Sequence, residues 1–351
     1  MTPPGTPATA AISRSGREAY RDLLAALLPA DDRLVCLDSD TGLFTGVDFG
    51  AGAARYINLG IAEQNLMGVA AGLAACGRMP FVNTMATFAS TRALEAVKLD
   101  IALNNLPVRI VATHGGLSAG HLGPTHHSLE DVAIMRLLPN ATVLVPADAA
   151  ATEDLIRQCL ELPGPAYVRL GRTATPELDR SGSDDATHDD AGHNDGVPRI
   201  GRAQVLRRGG DITLAACGPH PVLLALEAAA ELDARGVRAT VLNLHTVKPM
   251  DVAAVTAAAT DTAAIVTVEE HWSAGGLGSA VAEVVSELAP ARVLRVAVPD
   301  EFVAGTGGQR QLLERSGITR AAIVARALDG LDGRSPVRMR TGPPDRAAAR
   351  P

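Results

Sequence analysis

The chain has 351 residues, 47% of them hydrophobic, and its 39 acidic side chains against 32 Lys and Arg give a formal charge of -7. This length suffices for two ordinary globular cores, and there is no basic surplus of the kind that holds a nucleic acid backbone. No run of about 18 apolar residues is present to span a bilayer, MTPPGTPATAAISRSGREAY lacks the apolar centre of a signal peptide, and four scattered cysteines without a CxxC pair suggest neither zinc nor disulfides, so a reducing, cytoplasmic location is expected by default.

Residues 1–14 are too rich in Pro, Gly and small polar residues to bury a core and are expected to form a disordered tail. A first domain is expected over residues 15–172, where RLVCLDS, MPFVNTM, VRIVATH, TVLVPAD and AYVRL read as strands. Between them EQNLMGVAAGLAACG, STRALEAVKLDIALNN and AAATEDLIRQCLEL carry helical periodicity, the first closing on Gly77 as a helix C-cap would. Residues 173–199 form an acidic stretch expected to be a disordered linker, with His188 and His193 solvated in it. A second domain is expected over 200–332, with DITLAACG, ATVLNLHT, AAIVTVEE and RVLRVAV as strands and PVLLALEAAAELDARG and GSAVAEVVSELA as helices, followed by a disordered tail over 333–351. This alternation predicts an α/β fold of two domains with mainly parallel sheets. In such sheets ligands sit beyond the carboxyl ends of the strands.

Several residues admit both a bland and a chemical reading. Glu63, in YINLGIAEQN, opens a helix, where the dipole alone favours a carboxylate. Phe88, in TMATFAS, reads by itself as a core aromatic. Asp38 and Asp40, in LDSDTG, read as turn residues. THGGLSAGHLGPTHH gathers His114, His121, His126 and His127, but no Cys or carboxylate stands at ligand spacing beside them, so no metal site is expected. Arg17 in GREAY, and Arg169 and Arg172 in GPAYVRLGR, are on their own ordinary surface cations.

Taken in order, these segments resemble the pyrimidine-binding domain of the transketolase family, with GREAYRDLLAALLPADDRLVCLDSDTG matching its opening. VLNLHTVKPMD, VEEHWSAGGLGSAV and LLERSGITRAAI resemble the family's C-terminal domain, so the likeness covers nearly all the chain apart from tails and linker. The resemblance implies a thiamine diphosphate-dependent transferase that moves a two-carbon ketol unit from a ketose or ketose phosphate to an aldehyde. It implies that Glu63 shares a proton with the aminopyrimidine ring and so activates it, a role that apolar neighbours such as Ile61 and Leu66 would assist. It further implies that Phe88 stacks on that ring, that Asp40 and Thr41 approach the cofactor, that His114 and His126 line the channel and act on substrate oxygens, and that Arg17 and Arg172 hold a terminal phosphate.

The family binds the diphosphate through Mg²⁺ held by a GDG motif and a later Asn. No GDG occurs here, and GGD at 209–211 has no suitable Asn after it. The expectation is therefore a partner, an N-terminal transketolase-type subunit carrying the Mg²⁺ and diphosphate site, with an α2β2 heterotetramer as the simplest assembly and no activity without it. The partner-facing surface should include the neighbourhood of Glu63 and Phe88. Leu122 stands where the family commonly has an acid and Phe44 where it has a phosphate-contacting Ser, so an apolar acceptor end and a substrate other than the ordinary pentose phosphates are expected. The β subunit of a 2-oxo acid dehydrogenase shares this layout, but GPTHH and the two phosphate-type arginines favour transketolase. A non-catalytic regulatory homologue is the alternative of another class, and it has no use for Glu63, Phe88, His114 and His126 together.

Overall fold

The computed structural model describes residues 14–179 and 196–332; residues 1–13 and 333–351 of the expected tails, and the middle of the expected linker with His188 and His193, lie outside the described residues. In chain order the first half comprises α1 (Gly16–Leu27), β1 (Leu34–Asp38), β2 (Tyr56–Asn58), α2 (Glu63–Ala75), β3 (Met79–Met85), α3 (Ala86–Ser90), α4 (Leu94–Ala96), β4 (Arg109–Thr113), α5 (Asp131–Leu137), β5 (Thr142–Leu144), α6 (Ala149–Cys159) and β6 (Ala166–Arg169). The second half comprises β7 (Gln204–Arg207), β8 (Ile212–Ala216), α7 (Pro219–Asp233), β9 (Ala239–Asn243), β10 (Thr246–Lys248), α8 (Val252–Asp261), β11 (Ile265–Trp272), α9 (Leu277–Leu288), β12 (Val293–Val298), α10 (Gln309–Arg315) and α11 (Arg320–Leu331).

Two sheets result, as expected of an α/β chain. The first runs β10-β5-β6-β4-β3-β1-β2 and the second β12-β11-β8-β9-β7. All pairings are parallel except β10 on β5 and β7 on β9. Strand side chains alternate between two cores: Val35, Leu37, Val82, Ile110 and Ala112 enter one, while Leu34, Cys36, Phe81 and Val111 enter the other. A parallel sheet covered on both faces favours near-continuous apolar runs, and β1 and β4 are buried throughout, with Asp38, Arg109 and Thr113 as the polar residues at their ends.

Local signals explain several element ends. Ser15 and Glu18 form a reciprocal capping box that starts α1. Gly77 closes α2 at φ +82°, with the Arg78 amide donating to the Leu73 carbonyl and the Gly77 amide to Ala74, so the glycine reading of that terminus holds.

Two readings of the sequence change. STRALEAVKLDIALNN is not one helix: a turn over 91–93 leads into the short α4 and then a π-helical stretch, Val97–Ala102. ATVLNLHT is not one strand either. It ends as β9 in the second sheet, and after Leu244 and His245 the chain crosses to the first sheet as β10, where Thr246 pairs with Leu144 and Lys248 with Val143. The Lys248 ammonium then donates to the carbonyls of Arg136 and Leu138, fixing the crossing. A continuous apolar run carries no mark of such a transfer, because periodicity does not report which sheet a strand joins.

Candidate active site

The segments that follow β1, β2, β3, β4 and β6 all emerge at the carboxyl edge of the first sheet, and they carry the residues singled out by sequence. Glu63 is the first residue of α2 and only 2% exposed. Its Oε2 accepts a 2.8 Å hydrogen bond from Arg92, whose guanidinium also lies 4.2 Å from the centroid of the Phe88 ring. The ring of Phe88 meets His126 edge to face at 5.3 Å. Of the apolar neighbours expected around Glu63, Leu66 is buried but Ile61 is 73% exposed, so one side of this carboxylate's surroundings is open.

Asp40 and Thr41 lie in the turn after β1. Asp40 adopts φ +60°, a left-handed conformation that an L residue enters at a cost, and its carboxylate accepts from the Asn58 amide at 2.9 Å. Thr41 donates to the buried Asp38 at 3.0 Å, and Asp38 also accepts from Asn83 at 2.8 Å and the Tyr56 hydroxyl at 3.0 Å. This network fixes the turn on the sheet and leaves Asp40 outward.

His114 directly follows β4, is buried, and holds φ +60°. Its Nδ1 is hydrogen-bonded with the Thr113 hydroxyl at 3.0 Å, which leaves Nε2 as the free nitrogen. Burial, and then the charges of Arg17 and Arg172, push His114 down to about 4, so its ring is neutral at physiological pH. His121 and His126 add to that positive field. The charge of Arg17 is itself disfavoured by burial and by Arg172, and its Nε is buried with no hydrogen-bond partner among the described residues. The Glu18 carboxylate partly offsets this, but Arg17 and Arg172 form no ion pair among the described residues. His127 packs into the wall with neither ring nitrogen bonded to a described residue. Among the described residues no group of three or more His, Cys, Asp or Glu is gathered to hold a metal ion.

The second half completes the site, which sequence reasoning missed. Ser118, His121 and Arg172 line a cleft whose opposite wall is Thr306, Gly307 and Gln309. Gln309 donates to both carboxylate oxygens of Glu270 at 3.0 Å, and Glu270 accepts the Leu117 amide at 2.6 Å, holding the histidine-bearing loop. Gly116 is needed there: at φ +64° a Cβ would stand 2.5 Å from the Glu270 carboxyl carbon. Arg169, close in sequence to the site arginine, is instead buried against Asp131 and the carbonyls of Ser128 and Glu270.

The expected apolar acceptor end is corrected in one part. Phe44 is 2% exposed and packs in the core with Tyr20, Phe49 and Tyr56, so it lines no channel. Leu122 is exposed, next to His121. No helix among the described residues is long and apolar enough to cross a membrane.

Residues 13–177 match the transketolase pyrimidine binding domain and residues 201–323 the transketolase C-terminal domain. The chain is 41% identical to the 6-deoxy-6-sulfo-D-fructose transketolase subunit SqwH of Clostridium sp. (strain MSTE9), over 89% of this chain and 92% of that protein. It is 37% identical to an apulose-4-phosphate transketolase subunit of Phocaeicola vulgatus, over 89% of this chain and 96% of that protein. The solved structure of a split gene transketolase, an inactive beta4 tetramer, superposes with a TM-score of 0.81 at 42% identity, covering 91% of this chain and 99% of the other.

Proposed function

Because the chain belongs to the transketolase family, we propose that it is the pyrimidine-activating subunit of a split, thiamine diphosphate-dependent transketolase that transfers a two-carbon ketol unit. The observation that carries this reading is the buried Glu63 carboxylate at the start of α2, linked through Arg92 to the Phe88 ring that meets His126, in a chain whose relatives are named as transketolase subunits. Bound in such a site, thiamine diphosphate supplies a nucleophilic carbon able to accept and release a ketol fragment. With the cofactor bound, Glu63 would share a proton with the aminopyrimidine nitrogen, and Phe88 would offer its ring face to that group. Asp40 and Thr41 border the cofactor from the turn after β1. His114 and His126 each have Nδ1 engaged by a neighbouring threonine, which leaves Nε2 to donate to and accept from substrate oxygens.

Arg17 and Arg172, neither of which forms an ion pair among the described residues, hold the terminal anion of the sugar. The two relatives are named for a sulfonated and a phosphorylated ketose, so the class proposed is a small ketose with a terminal phosphate or sulfonate. Mg²⁺ and the diphosphate are assigned to an N-terminal-type partner subunit in an α2β2 assembly, since no GDG motif is present in this chain.

Titrating thiamine diphosphate and Mg²⁺ calorimetrically into the chain alone, and then into its complex with a co-expressed partner, tests this. Tight binding and ketol transfer are expected only with the partner. Glu63→Ala should lower turnover by about 10² to 10⁴; wild-type turnover in that variant, or no binding by the wild-type complex, refutes the reading.

A further inference from the structure

We propose that Arg92 is an internal stand-in for the aminopyrimidine ring, occupying its place until the cofactor binds and swinging out to solvent as the cofactor enters. This rests on the reading that Glu63 and Phe88 receive that ring. A single guanidinium makes both contacts assigned to the ring: it donates to Glu63 Oε2 at 2.8 Å and lies over Phe88 with its central carbon 4.2 Å from the centroid. Both groups are flat, edged with nitrogen and able to pack on an aromatic face; the guanidinium meets the carboxylate by donating N–H, whereas the ring nitrogen would meet it by sharing the proton that Glu63 carries. One position cannot hold both.

Two further features support exchange rather than a permanent bond. Among the described residues Arg92 has no hydrogen bond other than that to Glu63, and its side chain is 47% exposed, so rotation about its own bonds carries it away. It sits in the turn over 91–93 between α3 and α4, where no regular helix constrains it. Glu63, by contrast, is buried, and its carboxylate makes no other hydrogen bond among the described residues, so without the ring Arg92 is its sole described hydrogen-bond partner. Arg92 thus keeps the isolated subunit folded around its carboxylate, and it competes with the cofactor for that same group.

The test uses the full chain in complex with its partner, comparing wild type, Arg92→Met and Arg92→Lys by calorimetric titration of thiamine diphosphate with Mg²⁺, with thermal melting of each cofactor-free chain. Removing a competitor held by one charge-assisted hydrogen bond should tighten binding about tenfold in Arg92→Met while lowering the cofactor-free melting temperature. Arg92→Lys, which keeps the charge without the plane, should fall between. In a Glu63→Gln background the gain from Arg92→Met should shrink, because the Gln carbonyl still accepts but no longer attracts the guanidinium by charge. Unchanged or weaker binding by Arg92→Met, with wild-type binding intact, overturns the stand-in role and leaves the cofactor site standing. Absence of binding by both complexes overturns the cofactor site, and the stand-in with it.

Discussion

Replacing Arg169 with Met removes the ion that joins three segments at the junction of the two halves. Its Nε lies 3.1 Å from Asp131 Oδ2, with side-chain exposures of 6% and 0%, although the N–H is not aimed along that line. Its Nη2 donates to the carbonyls of Ser128 at 3.0 Å and Glu270 at 2.7 Å. Without it, Asp131 retains the Tyr167 hydroxyl, at 2.7 Å, as its side-chain donor. Breaking one side of a buried pair leaves a charge without compensation and costs about 3–5 kcal/mol, a fall in melting temperature of roughly 4–7 °C for a chain of this size. Urea denaturation monitored by circular dichroism reads the loss directly. Tyr167→Phe should cost about 1.5 kcal/mol, one hydrogen bond to a charged acceptor. Combining Arg169→Met with Asp131→Leu should recover part of the loss and not all, since two carbonyls still lack their donor. A loss under about 1 kcal/mol for Arg169→Met would refute the argument that this pair is an electrostatic bolt.

Acid should weaken the fold through His114 and His245, both pushed down to about 4, mainly by burial. Between the ordinary value near 6.5 and about 4 the unfolded chain binds protons that the folded chain refuses, so stability is present above pH 6.5 and is lost as pH falls toward 4, up to about 3 kcal/mol for each histidine. Urea midpoints at pH 7 and 4.5 measure this, and His245→Asn should flatten the curve; an unchanged slope in that variant assigns the effect elsewhere. Arg17→Met and Arg172→Met should each raise KM for a terminally phosphorylated or sulfonated ketose about tenfold or more, with a smaller change in kcat. Equal effects on an uncharged sugar would remove the anion-binding role.

The placement of the candidate residues was legible where a short motif fixes both a residue and its backbone. Glu63 follows a strand and starts a helix, and His114 follows β4, so chain order alone put them at the same sheet edge. Arg92 was illegible because STRALEAVKLDIALNN has a helical period that conceals the break at residues 91–93. Phe44 was misassigned because a position in register with a binding residue carries no information on which way the side chain turns, and neighbouring aromatic rings recruited it to the core. The share of Gln309 and Thr306 in the cleft arises only from the docking of the second half on the first, a relation no local pattern encodes.

Because β10 comes from beyond the linker yet completes the first sheet, the first half is not a severable module. A fragment ending in the linker would leave β5 as a raw border with a row of amides and carbonyls seeking a strand from any neighbour. Proteolysis or gene truncation there should therefore yield aggregates instead of a soluble lobe. The two halves of this chain therefore have to be made together.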